Sequence, residues 1–411
     1  MSEDIQSFID TFPVDRFPGV KTIGLGWKET GGNVIHRESI IFGVEEKKPS
    51  SSLPESEVLP DIIVIDDKQI ETDVVEDNID WTFEECPHVS ADLKDDHKMK
   101  TRPLKGGISL GNMNHPTKVG TLGAIVVDSV DGQVVGLSNN HVLVPNIFTT
   151  ASRQEVSYNY KDEDILQPAI ESSSLLPASS YDPDTNVCEN CVGKIKRVYP
   201  MNNSPYFWDA NEIDAGIFTI KGDIPVTGEQ VNLVFEDGSD IPVPTIPFAS
   251  TEEIDTLLVN NIPLFKSSRT SGPIGTSFFP GVSGSDTLCF LRASKMNYTP
   301  RIDGRQFKNV IKYWDPRETD KIDPSQRGDS GSLICGSFNG IWKAVGLHIA
   351  GGRSGGIDYG VMCRMDRVAN LLRIREYSSQ SPENLYPEHR VIEEYRDDVF
   401  VEIDGQTYWQ V

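Results

Sequence analysis

The chain has 411 residues and carries 38 Lys and Arg against 62 Asp and Glu, a formal net charge of −24. That length suits about two or three domains, and the charge argues against a nonspecific grip on nucleic-acid phosphates or on an anionic membrane surface. Neither nucleic acid nor membrane is therefore an expected partner.

The first residues, MSEDIQSFIDTF, lack the basic start and apolar run of a secretory signal. They read as a short amphipathic helix with Ile5, Phe8, Ile9 and Phe12 on one face and Ser2 as its candidate cap. No run approaches the roughly 18 apolar residues that a membrane span needs, and the expected location is cytoplasmic. Three strand candidates follow, VKTIGLGW, ESIIFGVEE and DIIVIDDKQIE, with a hairpin around Thr30 and Asn33 and a polar loop over 47–60. The stretch ADLKDDHKMK lacks an apolar period, so the expected division is a small leader domain over 1–75 and a charged linker over 76–106.

Beyond the linker come many short strands separated by turn residues, the pattern of a β barrel or sandwich. In GTLGAIVVDSVDGQVVGLSNNHVL two apolar runs flank Asp131 and Gly132, a strong hairpin dipeptide. MDRVANLLRIRE is the best helical period, and DVFVEIDGQTYWQV closes the chain with a hairpin signature at Asp404 and Gly405. Six cysteines are too sparse for a disulfide scaffold. Cys188 and Cys191 in NVCENCVG form the only close pair, and Cys86 with His88 is a weak completion of a zinc set. Ordinary thiols are the leading reading there, ahead of a metal site or a local redox pair. No cofactor or metal is expected.

Residues 326–336 read QRGDSGSLICG. Glycines cost backbone entropy and pack nothing in a strand, so Gly328 and Gly331 around Ser330 suggest a tight turn that exposes a hydroxyl and aims backbone N–H groups at a ligand. A serine nucleophile needs a base that is itself oriented by a third group. His141 ends a strand in LSNNHVL, and Asp214 enters an apolar run in NEIDAGIFTI. Taken singly, these are a polar turn, a rim histidine and a strand-end cap; together they stand in the order His, Asp, Ser.

SNNHV, DAGI and GDSGS resemble the three catalytic motifs of trypsin-like, chymotrypsin-fold serine peptidases, over about residues 107–376. KSSRTSGPIGT at 266–276 resembles a strand that opens the second barrel in bacterial-type members, with Ser268 in place of the usual glycine. VGLHIAGG at 345–352 resembles the strand that passes the substrate's P1 residue. The leader, from IGLGWK to IETDVVE, resembles that of the narrow-leaf type of plant cytosolic peptidases and their bacterial relatives. The resemblance implies a mainly β fold of two six-stranded antiparallel barrels, divided near 225–260, behind a small β-rich or α+β leader and before a 377–411 tail with a hairpin.

The resemblance also implies roles. His141 takes the proton from Ser330, Asp214 fixes the imidazole, and the N–H groups of Gly328 and Ser330 form an oxyanion hole worth ~3 kcal/mol per donor. Free imidazole titrates near ~6.5, so activity is expected to fall on the acid side of neutrality. The pocket residues are His348, Pro324 and Gly351. A histidine at 348 implies a P1 preference for Glu or Gln, and the bland reading of it is a core histidine bonded to a neighbour. Pro324 stands where trypsins carry an acidic pocket floor, which disfavours cleavage after Lys or Arg. Asp329 corresponds to the aspartate that meets a newly released amino terminus in digestive members, yet no activation site is evident. Control by a homo-oligomeric assembly or a regulatory partner, through the leader or the tail, is the expectation. The alternatives are a catalytically idle peptide-binding scaffold and a protein that processes only itself.

Overall fold

The computed structural model describes residues 3–17, 19–30, 33–83, 97–115, 119–144, 163–169, 181–182, 187–188, 190–230, 246–274, 291–317, 323–378, 400–403 and 406–409. Short β-branched runs interrupted by Gly, Pro and Asp cannot sustain long helices, and the chain is mainly β. The longest helix described is Glu3–Thr11, which buries Ile5 and Ile9 as its period requires. Phe12, just beyond, packs against Phe42 with the rings tilted and 5.0 Å between centroids. Among the described residues no helix is long and apolar enough to cross a membrane.

In the leader, Val20–Thr30 and Asn33–Val44 form the expected antiparallel hairpin, with Thr30 opposite Asn33. The run DIIVIDDKQIE, expected as one strand, is two. Ile62–Ile65 folds back on Lys68–Glu76 because Asp66 and Asp67 adopt φ of +47° and +62°, a left-handed turn that short polar side chains tolerate. Lys68–Glu76 then runs parallel to Asn33–Val44.

Two large sheets carry the rest. The first holds eight strands, in the spatial order Ile374–Glu376, Ala124–Asp128, Val134–Ser138, Gly216–Thr219, Cys191–Val198, Asp164–Leu166, Ile108–Asn112 and Val119–Leu122. Its Asp131–Gly132 hairpin stands where the dipeptide predicted it, with Gly132 at φ +75°. The second runs Gly272–Ile274, Leu264–Ser268, Leu333–Phe338, Ile341–Ser354, Ile357–Arg364, Val310–Trp314 and Arg292–Tyr298, and then continues into the leader. Leu25 of Val20–Thr30 pairs with Met296 and Gly26 with Lys295, so leader and second barrel share one sheet of 11 strands. MDRVANLLRIRE divides as well: the helix Met365–Leu372 ends at Arg373, with φ +53°, and Ile374–Glu376 crosses back to the first sheet. Phe400–Ile403 pairs with Gln406–Trp409, while Asp404 and Gly405 lie outside the described residues.

The seam between leader and barrel is electrostatic as well as hydrogen-bonded. The Asp77 carboxylate, buried just after the last leader strand, meets Lys295 Nζ at 2.8 Å and Lys312 Nζ at 3.6 Å. It also accepts from the Tyr298 and Thr22 hydroxyls, both at 2.9 Å. Burial alone would raise its pKa, but the two ammonium groups and these hydrogen bonds hold it well below the usual carboxylate range. The site has no room to spare: a Cβ on Gly43 would lie 2.1 Å from Thr22 Oγ1 and 2.7 Å from Asp77 Cβ. Asp77→Ala strands two partly buried cations and is expected to cost about 3–5 kcal/mol. Urea unfolding followed by tryptophan fluorescence reads that loss, and a midpoint equal to wild type would show that the seam holds without the charge.

Candidate active site

His141 sits in the one-turn helix Asn140–Leu143, entered from the strand Val134–Ser138 through extended Asn139. The two asparagines of SNNHV hold this turn. Asn139 Nδ2 donates to the Asp214 carbonyl at 2.7 Å and Asn140 Nδ2 to the Tyr199 carbonyl. Asp214 is fully buried and binds His141 twice: its Oδ1 accepts the His141 backbone N–H at 3.1 Å, and its Oδ2 is in a short contact with Nδ1. The Asp214 N–H points at Cys363 Sγ, 3.2 Å away. Burial and the Asp214 charge push that thiol well above its ordinary pKa, so it is held neutral. The His141 ring is thereby held by Asp214 through Nδ1 and the main chain together.

Ser330 stands in a turn whose glycines are dictated by space. Gly328 and Gly331 take φ of +95° and +91°, and a Cβ on Gly331 would lie 2.4 Å from both Ser138 Oγ and the Thr121 carbonyl. The turn is tied to the first barrel, since Thr121 N–H donates to the Ser330 carbonyl and Thr121 Oγ1 to the Gly328 carbonyl, both at 2.8 Å. A Cβ on Gly120 would meet Val142 Cγ2 at 2.5 Å and the Ser330 carbonyl at 3.0 Å, so the serine turn and the histidine turn converge on one spot. Within the turn, the N–H groups of Asp329, Gly331 and Ser332 donate to the carbonyls of Gln326, His348 and Asp329.

Asp329 has an internal counter-ion. Lys266, fully buried in Leu264–Ser268, places Nζ 2.7 Å from Asp329 Oδ2 and 2.6 Å from the Pro324 carbonyl. The Ser271 hydroxyl and the N–H groups of Thr270, Ser271 and Gln326 complete the carboxylate's shell. Burial favours the neutral acid, yet the Lys266 charge and these donors keep Asp329 ionised, far below the usual range. Nearby Arg269, on the same strand's end, donates Nε to Ser109 Oγ at 3.1 Å, and burial lowers its pKa to about 10. Neither basic residue was singled out by the sequence; the available signal was a lysine and an arginine inside the otherwise small-residue run KSSRTSG.

His348, Pro324 and Gly351, expected to line a pocket, differ in their surroundings. His348 is fully buried, with Nδ1 2.7 Å from the Tyr313 hydroxyl and Nε2 3.0 Å from Ser325 Oγ. Burial, then the Lys266 charge, lowers its pKa well below the ordinary value, so the ring is neutral. Pro324 lies beside it through Ser325, and Gly351 is three residues further along the same strand. Asp323 Oδ1 accepts the Ser325 N–H, while Oδ2 is buried without a hydrogen-bond partner among the described residues. Burial raises that acid to about 6. Sequence reasoning also missed Phe83, whose ring lies 4.6 Å from the His141 ring between centroids. Cys191, expected as an ordinary thiol, is disulfide-bonded; the side chain of Cys188, and Cys86 with His88, lie outside the described residues.

No protein-family model and no curated protein matches the chain. Solved structures do align with it. Thermobifida fusca Protease A shares 11% identity at a TM-score of 0.38, covering 67% of this chain and 99% of its own. Cellulomonas bogoriensis chymotrypsin shares 10% at 0.37, over 67% and 98%. A glutamic acid specific serine protease that uses a histidine triad in substrate binding shares 13% at 0.37, over 67% and 100%. The mainly β architecture rests on the chain's own strands, and these structures are distant likenesses of it. None of them is of the narrow-leaf plant type.

Lys266→Met removes the ammonium that faces the buried Asp329 carboxylate and is expected to destabilise by about 3–5 kcal/mol; adding Asp329→Asn should restore most of it. A double variant no more stable in urea than the single one would show that the pair is not the cause. The two buried acids have opposite pH signatures. Asp329 is depressed relative to an unfolded carboxyl near ~3.9, so its contribution is complete above about pH 4 and is lost as pH falls below that. Asp323 is raised to about 6, so the fold loses stability as pH climbs from about 4, where the unfolded carboxyl ionises, to about 6, and the loss is complete above that. Asp323→Asn should therefore stabilise by on the order of 2 kcal/mol at pH 8 and by little at pH 4. A pH-independent difference would refute that assignment.

Proposed function

We propose that the chain is a serine endopeptidase acting through His141, Asp214 and Ser330. The observation that carries this reading is the doubly bonded, buried Asp214–His141 pair beside a glycine-forced serine turn. Residues 107–376 are the peptidase unit on this reading, behind a leader over 1–75 and a linker over 76–106. His141 deprotonates Ser330 as the hydroxyl attacks a peptide carbonyl, and returns the proton to the leaving amine. Asp214 holds Nδ1–H and steadies the transient imidazolium. The backbone N–H groups of Gly328 and Ser330 stabilise the oxyanion.

P1 preference follows from His348. In the tautomer that carries its proton on Nε2, the ring donates to an oxygen of a P1 Glu or Gln in place of Ser325 Oγ. A basic P1 residue finds no carboxylate at Pro324, whose carbonyl already receives the Lys266 ammonium. That lysine also supports an enzyme that needs no released amino terminus, because Asp329 is already paired. Regulation then falls to an assembly or partner, and the expected setting is cytoplasmic.

A fluorophosphonate should label the wild-type chain and not Ser330→Ala, with a loss in kcat of up to ~10⁶. A folded wild-type chain that resists the probe would leave an idle scaffold. A peptide library should show cleavage after Glu or Gln; dominant cleavage after Lys or Arg would overturn the role given to His348.

A further inference from the structure

We propose that Trp81–Phe83 is a tethered strand filling the peptide groove of this enzyme, so that a polypeptide reaches Ser330 only after displacing it. The proposal rests on the proteolytic reading above and concerns the regulation of the same site. A peptidase of this kind must hold a stretch of extended chain beside its histidine and serine, and an open strand edge is the surface that does so through main-chain hydrogen bonds. The strand Ile341–Ser354 offers such an edge. It pairs with Leu333–Phe338 only as far as Leu347, and past that point its free side runs alongside the serine turn, with Gly331 N–H donating to the His348 carbonyl.

That edge is occupied by the chain itself. Thr82 pairs antiparallel with Gly351, its N–H donating to the Gly351 carbonyl at 3.1 Å and its carbonyl accepting the Gly351 N–H at 3.3 Å. The approach is close enough that a Cβ on Gly352 would lie 2.4 Å from Ile79 Cγ2 and 3.1 Å from Trp81 Cε3. One residue on, Phe83 is buried against the His141 ring and under the Arg305 guanidinium. An aromatic side chain on the imidazole face and a backbone paired to the edge three residues past His348 are what a bound peptide would supply.

The segment is held from its other side by the turn between Arg301–Ile302 and Arg305–Gln306. Asp303 N–H donates to the Trp81 carbonyl at 3.1 Å, and Asp303 Oδ2 accepts the Phe83 N–H at 2.9 Å. The Trp81 indole N–H reaches the Tyr298 hydroxyl, which also donates to Asp77. The same buried carboxylate that welds the leader to the barrel therefore anchors the occupant four residues downstream. A tethered occupant competes at an effective concentration in the millimolar range for short links, so a free peptide of equal affinity is excluded until the anchor loosens.

Two variants loosen it without touching the triad. Asp303→Gly removes the acceptor of the Phe83 N–H and suits the φ of +44° at that position, and Thr82→Pro removes the N–H that pairs with Gly351. Full-length chains would be treated with an ethyl fluorophosphonate, which reads Ser330 chemistry alone, and with a tetrapeptidyl diaryl phosphonate, which also needs the groove. The ratio of peptidyl to ethyl labelling rates should rise at least tenfold in the folded variants. A ratio that does not rise in either overturns the inference and leaves the peptidase reading intact. Absence of ethyl labelling in wild type and variants alike would bring down the peptidase reading and the inference with it. Intact mass after incubation separates a held strand from a cut one: loss of the leader from the wild-type chain would overturn the proposal.

Discussion

A carboxylate stays ionised in a dry interior only when donors or a cation are brought to it, and Asp329 has both, with Lys266 as the cation. Asp329 immediately precedes Ser330, and Lys266 lies on the strand that enters the second barrel. Their contact therefore fixes where the nucleophile turn stands relative to the barrel wall. The same ammonium takes the Pro324 carbonyl and helps keep His348 neutral. One buried charge thus holds the Asp329 turn and the Pro324 carbonyl and helps set the protonation state of the His348 ring.

Asp77 repeats this logic at a distance. Lys295 and Lys312 belong to second-barrel strands, while Thr22 belongs to the leader, so a single carboxylate joins two stretches of chain more than 200 residues apart in sequence. Backbone pairing of Leu25 with Met296 extends the join into a continuous sheet. The leader consequently extends the second sheet laterally, and Trp81, Thr82 and Phe83 follow it to the Gly351 strand edge and the His141 ring. That shared sheet is why a segment read as linker brings Phe83 to the imidazole.

The histidine shell shows how little a buried site leaves to chance. Asn139 clamps the Asp214 backbone, Asp214 grips both the ring and the main chain of His141, and Cys363 fills the space behind as a neutral thiol. Each contact restricts a rotation of the His141 or Asp214 side chain. The cost of this order is met by burial: Leu137, Ile213, Ala215, Ile217 and Leu347 around it are all inaccessible to water.

Local chemistry was legible in the sequence wherever it depended on neighbours. Asp131–Gly132 specified its hairpin, Ile5 and Ile9 specified the buried face of the first helix, and Gly328 and Gly331 announced a left-handed turn around Ser330, because conformational preference is carried by a few adjacent residues. Asp66 and Asp67 were misread inside an apolar run, since aspartate tolerates a turn without advertising it. Three things belonged to tertiary structure alone: the partner of Asp329, the joining of leader and barrel through Asp77, and the arrival of Phe83 at His141. Charge neutralisation and strand-edge pairing act through space between residues far apart along the chain, and no spacing in the sequence encodes them.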